Sequence, residues 1–473
     1  MYPDTKMRRA HLTGKQAGKA RMRRMAMVSM AAFAALFPTL SAQAESLSQA
    51  LTRAYLKNPQ IAAERAALRA TDEGVAKAKS GWRPQVFANG SVALGHKKTT
   101  PTPGFGQDYN SENVSITLTQ PVFNGFKTVE GVRRAKAAVR AGRQNLLAIE
   151  QKVLLSAAVA YLNVVRDRQI LALRQRNIAV LREQLKATEA RFKVGEITRT
   201  DVSQSRAAVA KARADAAQAR AQLAASRAAY EQAVGHKPGK LYFPRHCPKL
   251  PRSLRAALAR AARLNPGILA AAYNEQAARH GVKVAYGDLL PTVSLQAQLS
   301  ASRNKAEGFA AMKTRDARLM GTVSIPIYQG GLVYSSVREA RHKAEAARLG
   351  VMVARRSVRQ QVVSAWNNLV AARQVIAATN ARVAAARLAL DGVRQEYKVG
   401  SRTTLDVLNA RQDLLDARVA SISARAAEMT AAYSLLAAIG DMTAHRLRLR
   451  AAAYDPTRHY MRVKSQLFGT HDR

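Results

Sequence analysis

Cysteine is almost absent: Cys247 is the single one in 473 residues. One thiol has no partner within its own chain, which excludes a disulfide framework and a thiolate metal site. His246 beside it does not complete a ligand set, and the other histidines are scattered. There is no HExxH, no phosphate-binding glycine loop and no nucleophile elbow, so neither enzyme chemistry nor a metal or cofactor is expected. Acidic residues are also scarce, 31 against 76 Lys and Arg, for a formal charge of +45. Aromatics make up 5% of the chain and do not interleave with the basic residues, which argues against nucleic acid. Many arginines sit among alanines as on a solvated helix face; phosphate-bearing lipid or an acidic milieu also fits the surplus. Beyond the N-terminus no long apolar run occurs, so any entry into a membrane has to use strands.

The N-terminus holds a basic stretch from Lys6 to Arg24, an uncharged apolar run from Met25 to Leu40, and then Ala42-Gln43-Ala44. This is the order of a secretory signal, with cleavage expected after Ala44; Met7, Met22 and Met25 are alternative starts. A retained anchor is the weaker reading, because the run has 16 residues and a span needs ~20. Removing residues 1–44 leaves 68 basic against 30 acidic residues, a net +38.

The remainder is written twice. Asn58-Pro59 returns as Asn265-Pro266 and Pro84 as Pro291, 207 residues on (265−58, 291−84). Gln120-Pro121-Val122 returns as Ile325-Pro326-Ile327, and Phe192-Lys193-Val194-Gly195 as Tyr397-Lys398-Val399-Gly400, 205 residues on (326−121, 400−195). Solenoid units run roughly 20 to 50 residues, so this is a duplicated half-protein.

Each copy carries two segments of alternating polarity. Val114, Ile116 and Leu118 alternate with Ser115, Thr117 and Thr119, after a looser run from Val86 to Leu94. Val293, Leu295, Ala297 and Leu299 alternate with Ser294, Gln296 and Gln298, before Val323, Ile325 and Ile327. Period two gives one apolar and one polar face, and segments of about ten residues suit tilted transmembrane strands. A half-buried soluble sheet has the same pattern. Four strands cannot close a membrane barrel, whose open edges would leave backbone groups unsatisfied in lipid. Three copies would supply twelve strands, wide enough to enclose water. Residues 95–112 and 301–317 are expected to be hairpin loops, the first rich in Pro101, Pro103, Gly104 and Gly106.

After each strand pair comes a glycine turn, Asn124-Gly125 or Gln329-Gly330-Gly331, and then a proline-free stretch, residues 126–192 and 332–397. At 1.5 Å per residue each makes a rod of roughly 100 Å. Heptad spacing links Val132, Val139, Leu146, Val153 and Ala160, and again Val337, Ala344, Val351, Val358 and Ala365. The returning stretches repeat it with Val202, Val209, Ala216, Leu223 and Tyr230, then Leu408, Leu415, Ile422, Met429 and Leu436. Such spacing predicts left-handed supercoiling, so each copy is read as a long antiparallel hairpin with the Val-Gly turn at its tip. A coiled-coil stalk shares the heptads; strands at one end of the rod and a turn at the other suggest a conduit.

The signal, the paired repeats, the Gln120-Pro121-Val122-Phe123-Asn124-Gly125 turn and both Val-Gly tips, from about Glu45 to Asp441, resemble the TolC family of outer-membrane efflux and secretion channels. The resemblance implies a mainly α fold with a β-barrel portion: a homotrimer whose twelve-stranded barrel sits in outer-membrane lipid on a twelve-helix periplasmic tunnel. It implies a passive duct that docks onto a periplasmic adaptor and an inner-membrane transporter. It also places a periplasmic latch at Thr200, Asp201, Tyr397 and Arg402, with Asp201 accepting from Arg402 and Tyr397. Thr200 equally suits a helix N-cap with Asp201 in the first turn. Asp406 matches one acidic position of the family's constriction and Asn409 stands at the other; three Asp406 carboxylates on an axis would raise its pKa, whereas a solvated Asp near a helix start would not. Adaptor tips are expected to seat beside Val194, Gly195, Val399 and Gly400.

The organisation expected is a signal (1–44), first repeat (45–240), linker (241–252), second repeat (253–441) and a flexible basic tail (442–473). The rival readings are a periplasmic coiled-coil adaptor, which would show one hairpin and β-rich flanks, and a basic exported binding protein, which would not need strand pairs.

Overall fold

A computed structural model describes residues 45–98, 107–244 and 247–470. The expected signal, the prolines and glycines of 101–106, and His246 lie outside the described residues.

The two repeats fold alike. The first runs α1 (Leu47–Lys57), α2 (Pro59–Lys79), β1 (Gln85–Lys97), β2 (Gln107–Asn124), α3 (Lys127–Lys193) and α4 (Arg199–Val234). The second runs α5 (Leu254–Leu264), α6 (Pro266–Tyr286), β3 (Thr292–Ala306), β4 (Met312–Ser324), α7 (Leu332–Lys398) and α8 (Thr404–Ile439). Matching helices have equal lengths of 11, 21, 67 and 36 residues. The repeated Asn-Pro has a clear cause. Proline at the first helical position suits a new helix, and Asn58 and Asn265 cap it by accepting from Gln60 N and Gly267 N, both at 2.9 Å. Their amides then donate to Ala233 O (3.0 Å) and Ala438 O (2.9 Å). Each Asn therefore ties the kink between two short helices to the end of a returning one.

The strands form one antiparallel sheet in the order β1-β2-β3-β4, and the β2–β3 pairing fuses the repeats. At 13 to 18 residues they are longer than the alternation predicted. Residues 301–306 and 312–317, expected as loop, are strand: 312–317 pair in register with 299–304, and 305–306 pair with β2, because backbone hydrogen bonding continues past the apolar rungs. β2 also passes through Pro121 to Asn124, with a register shift between Pro121 and Phe123, the irregularity that lets a strand hold a proline. Val86, Leu118, Ala297 and Leu319 share one rung, and Ala88, Ile116, Leu299 and Ala317 the next. This apolar face is bare: Val114 and Leu299 are each 60% exposed and Leu319 70%. None of its residues joins a hydrophobic core cluster, unlike the half-buried face of a soluble sheet.

The long helices bury the predicted seams. Val132, Val139, Leu146, Val153 and Ala160 are buried, as are Val202, Val209, Ala216, Leu223 and Tyr230. In the second repeat Ala344, Val351 and Ile422 are only half-buried. The simple hairpin needs correction: α4 is little more than half as long as α3, and α2 packs along α3 as well. α6 lies against both α3 and α7. One stretch of α3 is apolar and long enough to span a membrane by composition, yet most of it is buried in this packing, so it is core. The main core gathers α1, the middle of α3 and the ends of α4 and α8 into a belt around Tyr161, Tyr230, Leu435, Ile439 and Met442.

The tail is not free as expected. Met442 is buried in the belt, and the chain then forms α9 (Arg458–Val463), which packs on α2 with Val463 buried. His459 Nδ1 lies 3.1 Å from Asp72 Oδ2, and Lys79 Nζ donates to Lys464 O at 2.8 Å. Arg65 stacks between Tyr55 and Tyr454, and Arg143 over Tyr460. These anchors are isolated tyrosines meeting cations of other helices, a pattern without period.

A candidate gate at the hairpin tips

Both tips are built the same way. α3 ends at Lys193, and the chain turns through Gly195 at φ +78°, whose N–H donates to Phe192 O at 3.0 Å. α7 ends at Lys398 and turns through Gly400 at φ +82°, donating to Tyr397 O at 3.2 Å. The left-handed conformation is what glycine supplies. Val194 and Val399 are 71% and 81% exposed, and a Cβ at either glycine would meet nothing within 4 Å.

The next helix starts with a capping box in each copy. Thr198 Oγ1 accepts from Asp201 N at 3.3 Å while Asp201 Oδ2 accepts from Thr198 N at 3.1 Å. Thr403 and Asp406 repeat this at 3.2 and 3.0 Å. The N-cap is thus Thr198, not Thr200, which is exposed in the first turn. The Thr-x-x-Asp spacing that marks such a box stands in the sequence at both places. The bonds from Thr198 hold the Asp201 carboxyl below the usual range, with the Thr404 hydroxyl adding to them. Asp406 is likewise lowered, first by the Thr403 backbone N–H. Within one chain this is opposite to the rise expected of an axial ring.

The latch residues are near one another but paired differently from expectation. Arg402 Nε donates to Glu396 Oε2 at 2.8 Å, not to Asp201. The Tyr397 hydroxyl lies 3.4 Å from Thr404 Oγ1, so Thr404 stands between it and Asp201. The Arg191 guanidinium covers the Tyr397 ring at 5.0 Å and Arg191 Nε donates to Glu196 at 2.8 Å. Glu196 and Glu396 escaped the sequence reading because each bond closes over a glycine turn. Asn409 is exposed on the same side of α8 as Asp406, three residues on. Further along, Arg411 is buried with its Nε unpaired among the described residues, and burial followed by the nearby Arg394 pulls its pKa down to about 10.

The family profile described as outer membrane efflux protein matches residues 50–236 and 257–441, one match per repeat. The chain belongs to that family. It is 43% identical over 431 residues to outer membrane efflux protein BepC of Brucella suis, covering 91% of this chain and 92% of the relative. It is 30% identical over 400 residues to outer membrane protein TolC of Escherichia coli, covering 80% and 78%. The fold superposes on the Campylobacter jejuni CmeC outer membrane channel with a TM-score of 0.74, covering 89% of each chain at 15% identity. The protein is therefore an outer-membrane efflux channel with its helical part in the periplasm, and channels of this family catalyse no reaction. Membership of the family implies a trimer.

Proposed function

We propose that this channel is the passive exit duct of a tripartite efflux pump or type I secretion system. Three copies close one wall by pairing β4 of each with β1 of the next. The observation that carries this is the four-stranded sheet whose two outer strands have no partner among the described residues, an arrangement lipid does not tolerate. An inner-membrane transporter feeds the duct through a periplasmic adaptor whose tips seat on Val194-Gly195 and Val399-Gly400. The exposure of both valines and the open space over both glycines support this assignment.

The closed tip is held around Thr200 and Asp201 on α4, Tyr397 in the last turn of α7 and Arg402 in the turn before α8. Glu396 takes the Arg402 cation, and Thr404 relays Tyr397 to Asp201. Asp406 and Asn409 line the constriction in three copies. With one acidic ring in place of two, its cation preference is weak.

Val194→Asp with Val399→Asp tests the docking. Both side chains point to water, so the protein is expected to fold and assemble at normal yield while export in an efflux-deficient host is lost. Export at the wild-type level would sink the docking assignment.

A further inference from the structure

β3 and β4 carry their cations unevenly. Side chains alternate between faces, and the register places Arg303, Lys305, Lys313 and Arg315 on the face of Val293, Leu295, Ala297, Leu299 and Leu319. That is the lipid-facing side. Arg315 is level with Ala301, the last apolar rung, and Arg303 with Lys313. Arg303 follows Ala301 by two residues and Lys305 by four, about 7 and 14 Å further along the strand. The start of β3 joins the periplasmic helices, so these four cations stand at the opposite end, at the height of the outer-leaflet headgroups. All four side chains are exposed.

Acidic side chains do not balance them. Glu112, on the same face of β2, reaches Arg303 only at 4.0 Å. Asp108 is taken by His96 at 2.7 Å. Asp316 lies on the inner face, where it accepts from Arg318 at 2.9 Å. A free cation would be better hydrated in the water-filled lumen than on the outer wall of a barrel. Yet the cluster is outside and the single arginine of these strands that is inside has its own carboxylate. Adjacent cations on paired strands, at the rim of an apolar band, fit an anionic headgroup whose acyl chains lie along that band.

We propose that Arg303, Lys305, Lys313 and Arg315 form a binding site for the phosphate groups of the phosphorylated glycolipid of the outer leaflet. The trimer carries three such sites. Guanidinium groups grip phosphate oxygens in pairs, and the lysines add point charges. The apolar rungs from Val293 to Ala301 receive the acyl chains.

The test is native mass spectrometry of the detergent-solubilised channel titrated with lipid A bearing both phosphates, and in parallel with the same lipid A after phosphate removal. The wild type is expected to retain the phosphorylated form about tenfold better or more. Replacing Arg303, Lys305, Lys313 and Arg315 together by Gln should reduce its retention to that of the dephosphorylated lipid. Lys97→Gln with Arg318→Gln, two cations of the inner face, should change nothing. The proposal is overturned by equal retention of the two lipids, by undiminished binding to the fourfold variant, or by an equal loss in the inner-face variant. Should the fourfold variant not assemble, the pairs Arg303→Gln with Lys305→Gln and Lys313→Gln with Arg315→Gln must each weaken retention, and wild-type binding in either pair overturns it equally.

Discussion

Asp406 serves its helix before it can serve a pore, since Thr403 already binds its carboxylate by backbone and side chain. The sign of its pKa shift follows. A carboxyl lowered in the folded state contributes to stability above its unfolded value of 3.8 and loses that contribution only as pH falls through the still lower folded value. The cap is therefore intact throughout neutral pH. Asp406→Asn keeps an oxygen for the Thr403 N–H and removes the charge, which separates cap from ring. Block of single-channel current by divalent cations is expected to weaken, while the melting temperature falls only by what one exposed, charge-assisted cap contributes. Unaltered block would leave Asp406 as a capping residue alone. The Thr-x-x-Asp signal was legible in the sequence, and its overlap with the supposed latch misdirected the cap to Thr200. The Arg402–Glu396 pair was not legible, because it exists only once Gly400 has turned the chain.

At the scale of elements, Asn265 couples three helices: it ends α5, caps α6 and binds the last turn of α8 through Ala438 O. Gly440 completes the joint. It sits at φ +92°, and a Cβ there would lie 2.6 Å from Leu264 O, whereas its counterpart Gly235 has open space. The second joint is thus the tighter of the two. Asn265→Ala removes an N-cap from a buried site and leaves the half-buried Ala438 carbonyl without its donor, costing about 2 kcal/mol. Asn58→Ala should cost less, since Asn58 is only half-buried. Thermal unfolding of the solubilised protein checks the order; equal shifts would deny the joint its structural role. Asn-Pro announced the helix break in both copies, and the proline-free stretches announced α3 and α7 to within a residue. Their partners across the chain, Ala233 and Ala438, carried no such mark because any backbone carbonyl could have filled the place. The tail's grip through Tyr454 and Tyr460 was hidden for a similar reason: a lone aromatic gives no periodic signal.

For the whole molecule, the unequal helix lengths resolve into a constant wall. α3 and α7 run its full height with 67 residues each, while α2 and α6 accompany them near the sheet and α4 and α8 near the tips. The 21 residues of α2 and the 36 of α4 nearly match the 67 of α3, and the shortfall falls at the belt where α1, α5 and the tail pack. Each chain thus contributes four helices at either level, and three chains give twelve both above and below the belt. The same threefold count turns four strands into a barrel and leaves no edge unpaired. Val353 and Leu388, bare at 65% and 76%, stand five heptads apart on α7 and so share one stripe, turned away from the seam of Val337 and Val358 that is buried within the chain. That stripe is free for a neighbouring chain to cover. The protein purified in detergent or nanodiscs should accordingly show the mass of three chains by light scattering, with Val353→Cys and Leu388→Cys slow to react with a maleimide. A stable monomer in a bilayer would contradict both counts at once, because β1 and β4 would then face lipid with their outer hydrogen-bonding groups unmet.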